Sequence, residues 1–187
     1  MKTSDKLMGK NRENIPNWAF KLMAFVMKVM DVFWNYSNNN FKTLGIQKGQ
    51  TVIDYGCGPA RYIRSISITI GNEGKLIATD IHPLAIKKVK EKIKRFKLQN
   101  TEAALSKEYN SPINNDTADV VLALDMFHMI QNPDALLNEF KRILKPDGIA
   151  IIEDGHQPRE ETKLKVMTNR NFEIIEENKN HIKCKII

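Results

Sequence analysis

A chain of 187 residues with 42% hydrophobic content fills one core but not two ordinary ones, so a single domain is expected. The two cysteines, Cys57 and Cys184, lie far apart and match no metal-ligand spacing, and no apolar secretory segment opens the chain, which points to a reducing, cytoplasmic setting. A net charge of +7 favours encounters with anions but does not choose between nucleic acid, anionic lipid and an acidic substrate.

Residues 1 to 14 are polar, charged and without hydrophobic period, and read as a loose tail. Phe20, Met23, Met27, Met30 and Trp34 then recur every three or four positions, and Leu22, Phe25, Val26, Val29 and Phe33 widen the stripe. The spacing predicts a helix buried around most of its circumference and stopped by Asn38, Asn39 and Asn40. Lys21, Lys28 and Asp31 interrupt it, so no membrane span is expected. The tail and this covering helix occupy residues 1–40, and the main domain runs over 41–187.

After Gly49, short β-branched runs alternate with longer amphipathic stretches, the pattern of a parallel sheet covered by helices on both faces. Strands are expected at 51–54, 75–80, 101–105, 119–124 and 148–153, with helices near 60–70, 84–97, 133–144 and 161–169. Two further strands at 172–177 and 181–187 read as a closing antiparallel pair. The fold class is α/β: a Rossmann-like, doubly wound, mostly parallel seven-stranded sheet with an antiparallel last strand, preceded by N-terminal helical structure.

The turn after the first strand carries the main signal. Thr51-Val-Ile-Asp-Tyr-Gly-Cys-Gly-Pro-Ala60 passes from an apolar strand through a glycine-rich turn into a helix. Glycines at 56 and 58 let backbone amides approach a ligand, and the helix start adds a positive dipole end. A dinucleotide fingerprint needs a third glycine at 61, where Arg61 stands, so NAD and FAD are disfavoured. Asp80 ends the second strand 20 residues beyond Ala60, near the spacing at which an acidic side chain meets a ribose.

The segment resembles motif I of the class I S-adenosylmethionine-dependent methyltransferases, of the small-molecule type 11 kind, with Ala60 in place of the last glycine. The stretches 118–128 and 143–153 are similar to that family's fourth and fifth strands, with Leu144-Lys-Pro-Asp-Gly148 the turn that leads into the fifth. The resemblance implies S-adenosylmethionine as cofactor. It implies contacts from Asp54, Tyr55, Gly56, Cys57 and Gly58 to the methionine end, from Asp80 to the ribose and from Ile81 to the adenine, with His82 a surface neighbour. Where the family carries an acid for the adenine amino group stands Lys107, and a one-residue shift supplies Glu108. Asp125 is a further cofactor or acceptor contact, and Trp34 and Tyr36 are aromatic neighbours of a cationic sulfonium.

Methyl transfer from a sulfonium is an in-line displacement that mainly needs the acceptor held close. An acceptor that must lose a proton also needs a base, and His128 and His156, after the fourth and fifth strands, are the candidates. His82, His128, His156 and His181 show no close ligand spacing, so no metal is expected. The lysine-rich run 87–97 keeps Ile86, Val89, Ile93 and Phe96 on one stripe and lacks interleaved aromatic platforms, which reads as a solvated helix face and not a nucleic-acid site. The expected partner is a small-molecule acceptor. The alternatives are an RNA methyltransferase and a non-catalytic cofactor-binding module.

Overall fold

The computed structural model describes residues 15–34 and 41–187. The tail at 1–14, Tyr36, the Asn38–Asn40 stop, the boundary at residue 40 and the side chain of Trp34 lie outside the described residues. The chain packs as two compact units, one from Ile15 to Ser106 and one holding Lys107 to Ile187.

The first unit runs α1 (Asn17–Trp34), β1 (Thr51–Tyr55), α2 (Ile63–Ile70), β2 (Lys75–Asp80), α3 (Pro83–Phe96) and β3 (Thr101–Leu105). Its strands lie in the order β3-β2-β1, all parallel, with Val52 opposite Leu76 and Leu76 opposite Thr101. From Val52 to Tyr55 every residue of β1 is buried, as a strand covered on both faces requires. Helix α2 turns Ile63, Ile66 and Ile70 inward. It begins three residues later than its sequence pattern implies, because residues up to Tyr62 are spent in the glycine turn. His82 caps α3 by accepting from the Leu84 amide, and Pro83 follows at the first helical position, where its missing N–H costs nothing.

The second unit runs β4 (Ala118–Ala123), a short 3-10 turn (Phe127–Met129), α4 (Pro133–Ile143), β5 (Leu144–Glu153), α5 (Arg159–Asn169), β6 (Phe172–Glu177) and β7 (His181–Ile186). Its strands lie in the order β4-β5-β7-β6, with β7 antiparallel to both neighbours, so the closing antiparallel pair stands as expected. Together the strands make the seven-stranded, mostly parallel sheet of the Rossmann-like class. Strand β5 starts at Leu144 and not Gly148, because Leu144 bridges Ala118 before the register shifts to Val120 opposite Ile149. Gly148 is required there: a Cβ would sit 2.7 Å from the Ala118 carbonyl oxygen.

Two expectations need correction. Helix α1 is not buried around most of its circumference: Phe20 is 3% exposed, but Trp18, Phe25 and Phe33 are 60%, 65% and 74% exposed. An apolar stripe states what a helix can bury, and among the described residues of α1 Phe20 is the one that is buried. His82 is not a surface residue either. It is 8% exposed, capping α3 and stacked on Phe20 with ring centroids 4.5 Å apart.

Candidate functional site

The carboxyl ends of β1 and β2 meet at the glycine turn. The amides of Gly56 and Cys57 both donate to the Thr79 carbonyl oxygen, at 2.8 and 3.0 Å, which pins the turn to β2. Gly56 and Gly58 have φ of 72° and 49°, the left-handed region that favours glycine. No atom lies within 4 Å of a Cβ built on Gly58, so the space over its backbone is open. Asp80 reaches across: one carboxylate oxygen accepts from the Gly58 amide at 2.9 Å and the other from the His82 amide at 2.8 Å. The carboxylate keeps lone-pair capacity for a hydroxyl donor.

Asp54 stands beneath this turn, 2% exposed, and its Oδ2 has no hydrogen-bond partner among the described residues. Burial pushes its carboxyl up to about 7, the Asp80 carboxylate adds to the rise, and the Lys92 ammonium opposes it. Asp80 is likewise raised by burial, against the hydrogen bonds from the His82 and Gly58 amides. The Cys57 thiol is driven well above its ordinary range by burial and then by Asp54 and Asp80, so it is a packed, inert group and no nucleophile. A buried carboxylate oxygen left without a partner beside an open backbone cradle is a polar group still to be satisfied.

Helix α1 is tied near one end to the glycine turn and at the other to the start of α3. The Arg61 guanidinium donates to Asp31 at 2.5 and 3.1 Å, and at the other end of α1 the His82 ring approaches the Ile15 carbonyl oxygen at 3.2 Å. The α3 lysines point outward as expected, with one exception. Lys92 bends in to donate to the Ala60 carbonyl oxygen at 2.7 Å, and burial lowers its pKa. Sequence spacing did not disclose that role. A cleft of about 350 Å³ lined by Lys75, Asn100 and Glu102 opens at the amino ends of β2 and β3, the opposite end from Asp80, and takes no part in this site.

The other candidate residues lie in the second unit. Lys107 and Asn110 close a tight turn by two backbone hydrogen bonds of 2.9 Å, and Glu108 sits exposed at its left-handed position, φ 51°. Asp125 follows β4, His128 lies in the 3-10 turn and His156 follows β5, and the fold brings these three together. Their ligand atoms lie within 4.8 Å of one another, with His156 Nε2 4.0 Å from Asp125 Oδ1 and the two imidazoles edge to face at 5.1 Å. Asp154, the next acid along β5, is instead held by Arg159 at 2.7 Å.

This fold, with an acid at the end of each of its first two strands and a glycine turn between them, defines a class I S-adenosylmethionine-dependent methyltransferase domain. The chain belongs to the methyltransferase domain family, matched over residues 46–185. It is 26% identical over 156 residues to a demethylmenaquinone methyltransferase of Listeria welshimeri, covering 83% of this chain and 65% of that protein. To the ubiquinone/menaquinone biosynthesis C-methyltransferase of Escherichia coli it is 24% identical, over 70% of this chain and 53% of the other. The chain therefore spans less than two thirds of the length of these curated relatives. In fold it is similar to a crystal structure of an S-adenosylmethionine-dependent methyltransferase from Aquifex aeolicus, with a TM-score of 0.77 at 21% identity, covering 93% of this chain and 100% of the other.

Proposed function

We propose that this domain transfers a methyl group from S-adenosylmethionine to a small-molecule acceptor. The observation that carries the reading is the pair of carboxylates at the glycine turn: Asp54, buried with Oδ2 open, and Asp80, gripping the Gly58 amide at 2.9 Å. The cofactor supplies a methyl group already activated by its sulfonium.

The residues divide the binding between them. Asp54 takes the ammonium of the methionine moiety, whose charge compensates the buried carboxylate and returns it to its ionised form. The backbone at Tyr55, Gly56, Cys57 and Gly58 follows the rest of that moiety. Asp80 accepts from the ribose hydroxyls, Ile81 gives apolar contact to the adenine, and Glu108 and Asp125 add polar contacts. The chain's contribution to rate is then positional: it holds donor and acceptor in line. An acceptor hydroxyl whose proton must leave has His128 and His156 as nitrogen bases. The quinone compounds in the relatives' names make quinones and their reduced, hydroquinone forms the first acceptors to try.

The test is calorimetric titration with S-adenosylmethionine and S-adenosylhomocysteine, beside Asp80→Ala. The variant loses charge-assisted hydrogen bonds of about 1.5 to 3 kcal/mol in all, so about ten- to a hundredfold weaker binding is expected. Binding unchanged in the variant overturns the assignment of Asp80. Turnover to S-adenosylhomocysteine with a panel of phenols and hydroquinones then tests the acceptor class.

A further inference from the structure

We propose that Asp125, His128 and His156 form a site for one divalent transition-metal ion, of the zinc or iron(II) class. Three independent features support it. The first is the donor set: two imidazoles and one carboxylate, with ligand atoms within 4.8 Å of one another, is a combination used by ions of intermediate softness, and it leaves coordination positions open.

The second is the backbone around the cluster. Asp125 is a non-glycine residue at φ 54°, and Gly155, next to His156, has φ 61°. Left-handed backbone at a residue with a side chain persists where the surroundings enforce it, often at ligand sites. The third is the close approach of His128 to Gly155. A Cβ on Gly155 would lie 2.1 Å from His128 Nδ1 and 2.8 Å from its Cε1, so no other residue at 155 leaves the His128 ring where it is. The backbone thus makes room for one imidazole and presents the other on the adjacent residue.

The present distances are those of an open form. Ligand atoms around a tetrahedral ion with bonds of about 2.0 to 2.2 Å stand roughly 3.4 Å apart. The 4.0 Å between Asp125 and His156 closes to that by a small ring movement, and the His156 side chain, 81% exposed, is unconfined enough to make it. An ion there lowers the pKa of a bound water or of an acceptor hydroxyl at the open positions, as metal ions do generally. Binding of the ion stands apart from the methyl-transfer reading, whereas its use on an acceptor hydroxyl rests on that reading, with the ion taking the place of His128 and His156 as free bases.

The experiment is titration of the untagged, chelator-treated full chain with Zn2+ by calorimetry, and with Co2+ by visible absorption, alongside His156→Ala and Gly155→Ala. One equivalent is expected to bind the parent chain, with affinity about a hundredfold weaker in either variant. His156 is exposed, so its removal leaves folding intact, and an unchanged S-adenosylmethionine titration verifies that. A parent chain that binds S-adenosylmethionine but no Zn2+ overturns the metal site and leaves the proposed function standing. Zn2+ binding equal in parent and His156→Ala places the ion elsewhere and equally overturns it. Failure to bind S-adenosylmethionine with Zn2+ binding intact sinks the other reading alone.

Discussion

Asp54→Asn separates the binding role of this carboxylate from its effect on folding. Its carboxyl is raised from 3.8 to about 7, with burial the largest cause and Asp80 the next. Between those values the folded chain holds a proton that the unfolded chain has released, so stability falls as pH rises through the window. The advantage of the protonated native form is complete below 3.8 and gone above about 7. At about 1.4 kcal/mol per pH unit, the ionised group costs the cofactor-free protein at most about 4 kcal/mol at pH 8. The neutral amide escapes that cost. For a chain of this size, Asp54→Asn is expected to raise Tm by roughly 5 to 15 °C at pH 8. The gain shrinks to about a third at pH 5 and vanishes near pH 4. The same variant loses the partner of a cationic donor, and S-adenosylmethionine affinity falls about ten- to a hundredfold. Scanning calorimetry at pH 5 and 8 reads the first effect and titration calorimetry the second. A variant no more stable than the parent at pH 8, or shifted equally at both pH values, would refute the account of Asp54 as a buried, uncompensated acid.

Two further substitutions test how the frame is held. Asp31→Ala strips the partner from Arg61, whose side chain is only 9% exposed, and is expected to cost about 1 to 3 kcal/mol in urea denaturation and to speed proteolysis within α1. An unchanged digestion pattern would mean that the ion pair does not anchor the helix. Glu139, 7% exposed, accepts from the Ser111 amide at 2.9 Å and its hydroxyl at 2.5 Å and pairs with Arg142 at 2.7 Å. Glu139→Ala should therefore destabilise by about 3 to 5 kcal/mol, and Glu139→Gln by clearly less, because the amide oxygen still accepts from Ser111. Equal losses in the two variants would assign the effect to the charge alone.

What the sequence disclosed was local. A strand, a glycine turn, a helix and a second strand ending in Asp80 fall within 30 residues (51–80), and each announces itself by period or by turn chemistry. The cluster at Asp125 and His156 did not, because its members lie 31 positions apart and meet only through strand pairing. The parallel register sets Ala123 of β4 opposite Ile152 of β5, so residues two to four beyond each must converge. The cluster is legible in the pairing of the two strands and not in the spacing of the histidines. His82 was misplaced for a smaller reason: a side chain with an acceptor nitrogen directly before Pro83 at a helix start is itself a capping signal. The exposed side of α1 departs from its pattern because an amphipathic period reports what a helix can bury and not what it does bury.

The same logic explains the alanine in the glycine motif. Ala60 is fully buried at φ 62°, the conformation for which glycine is ordinarily chosen. Its side chain costs roughly 1 kcal/mol in that backbone, and two interactions hold the turn against the cost: the Ala60 amide donates to the Cys57 carbonyl oxygen at 2.9 Å, and Lys92 donates to the Ala60 carbonyl oxygen at 2.7 Å. That bond also brings the ammonium close enough to Asp54 to oppose its rise toward about 7. Lys92 thus couples the shape of the turn to the charge of the acid beneath it, which is why a lysine on an otherwise solvated helix face is the one turned inward.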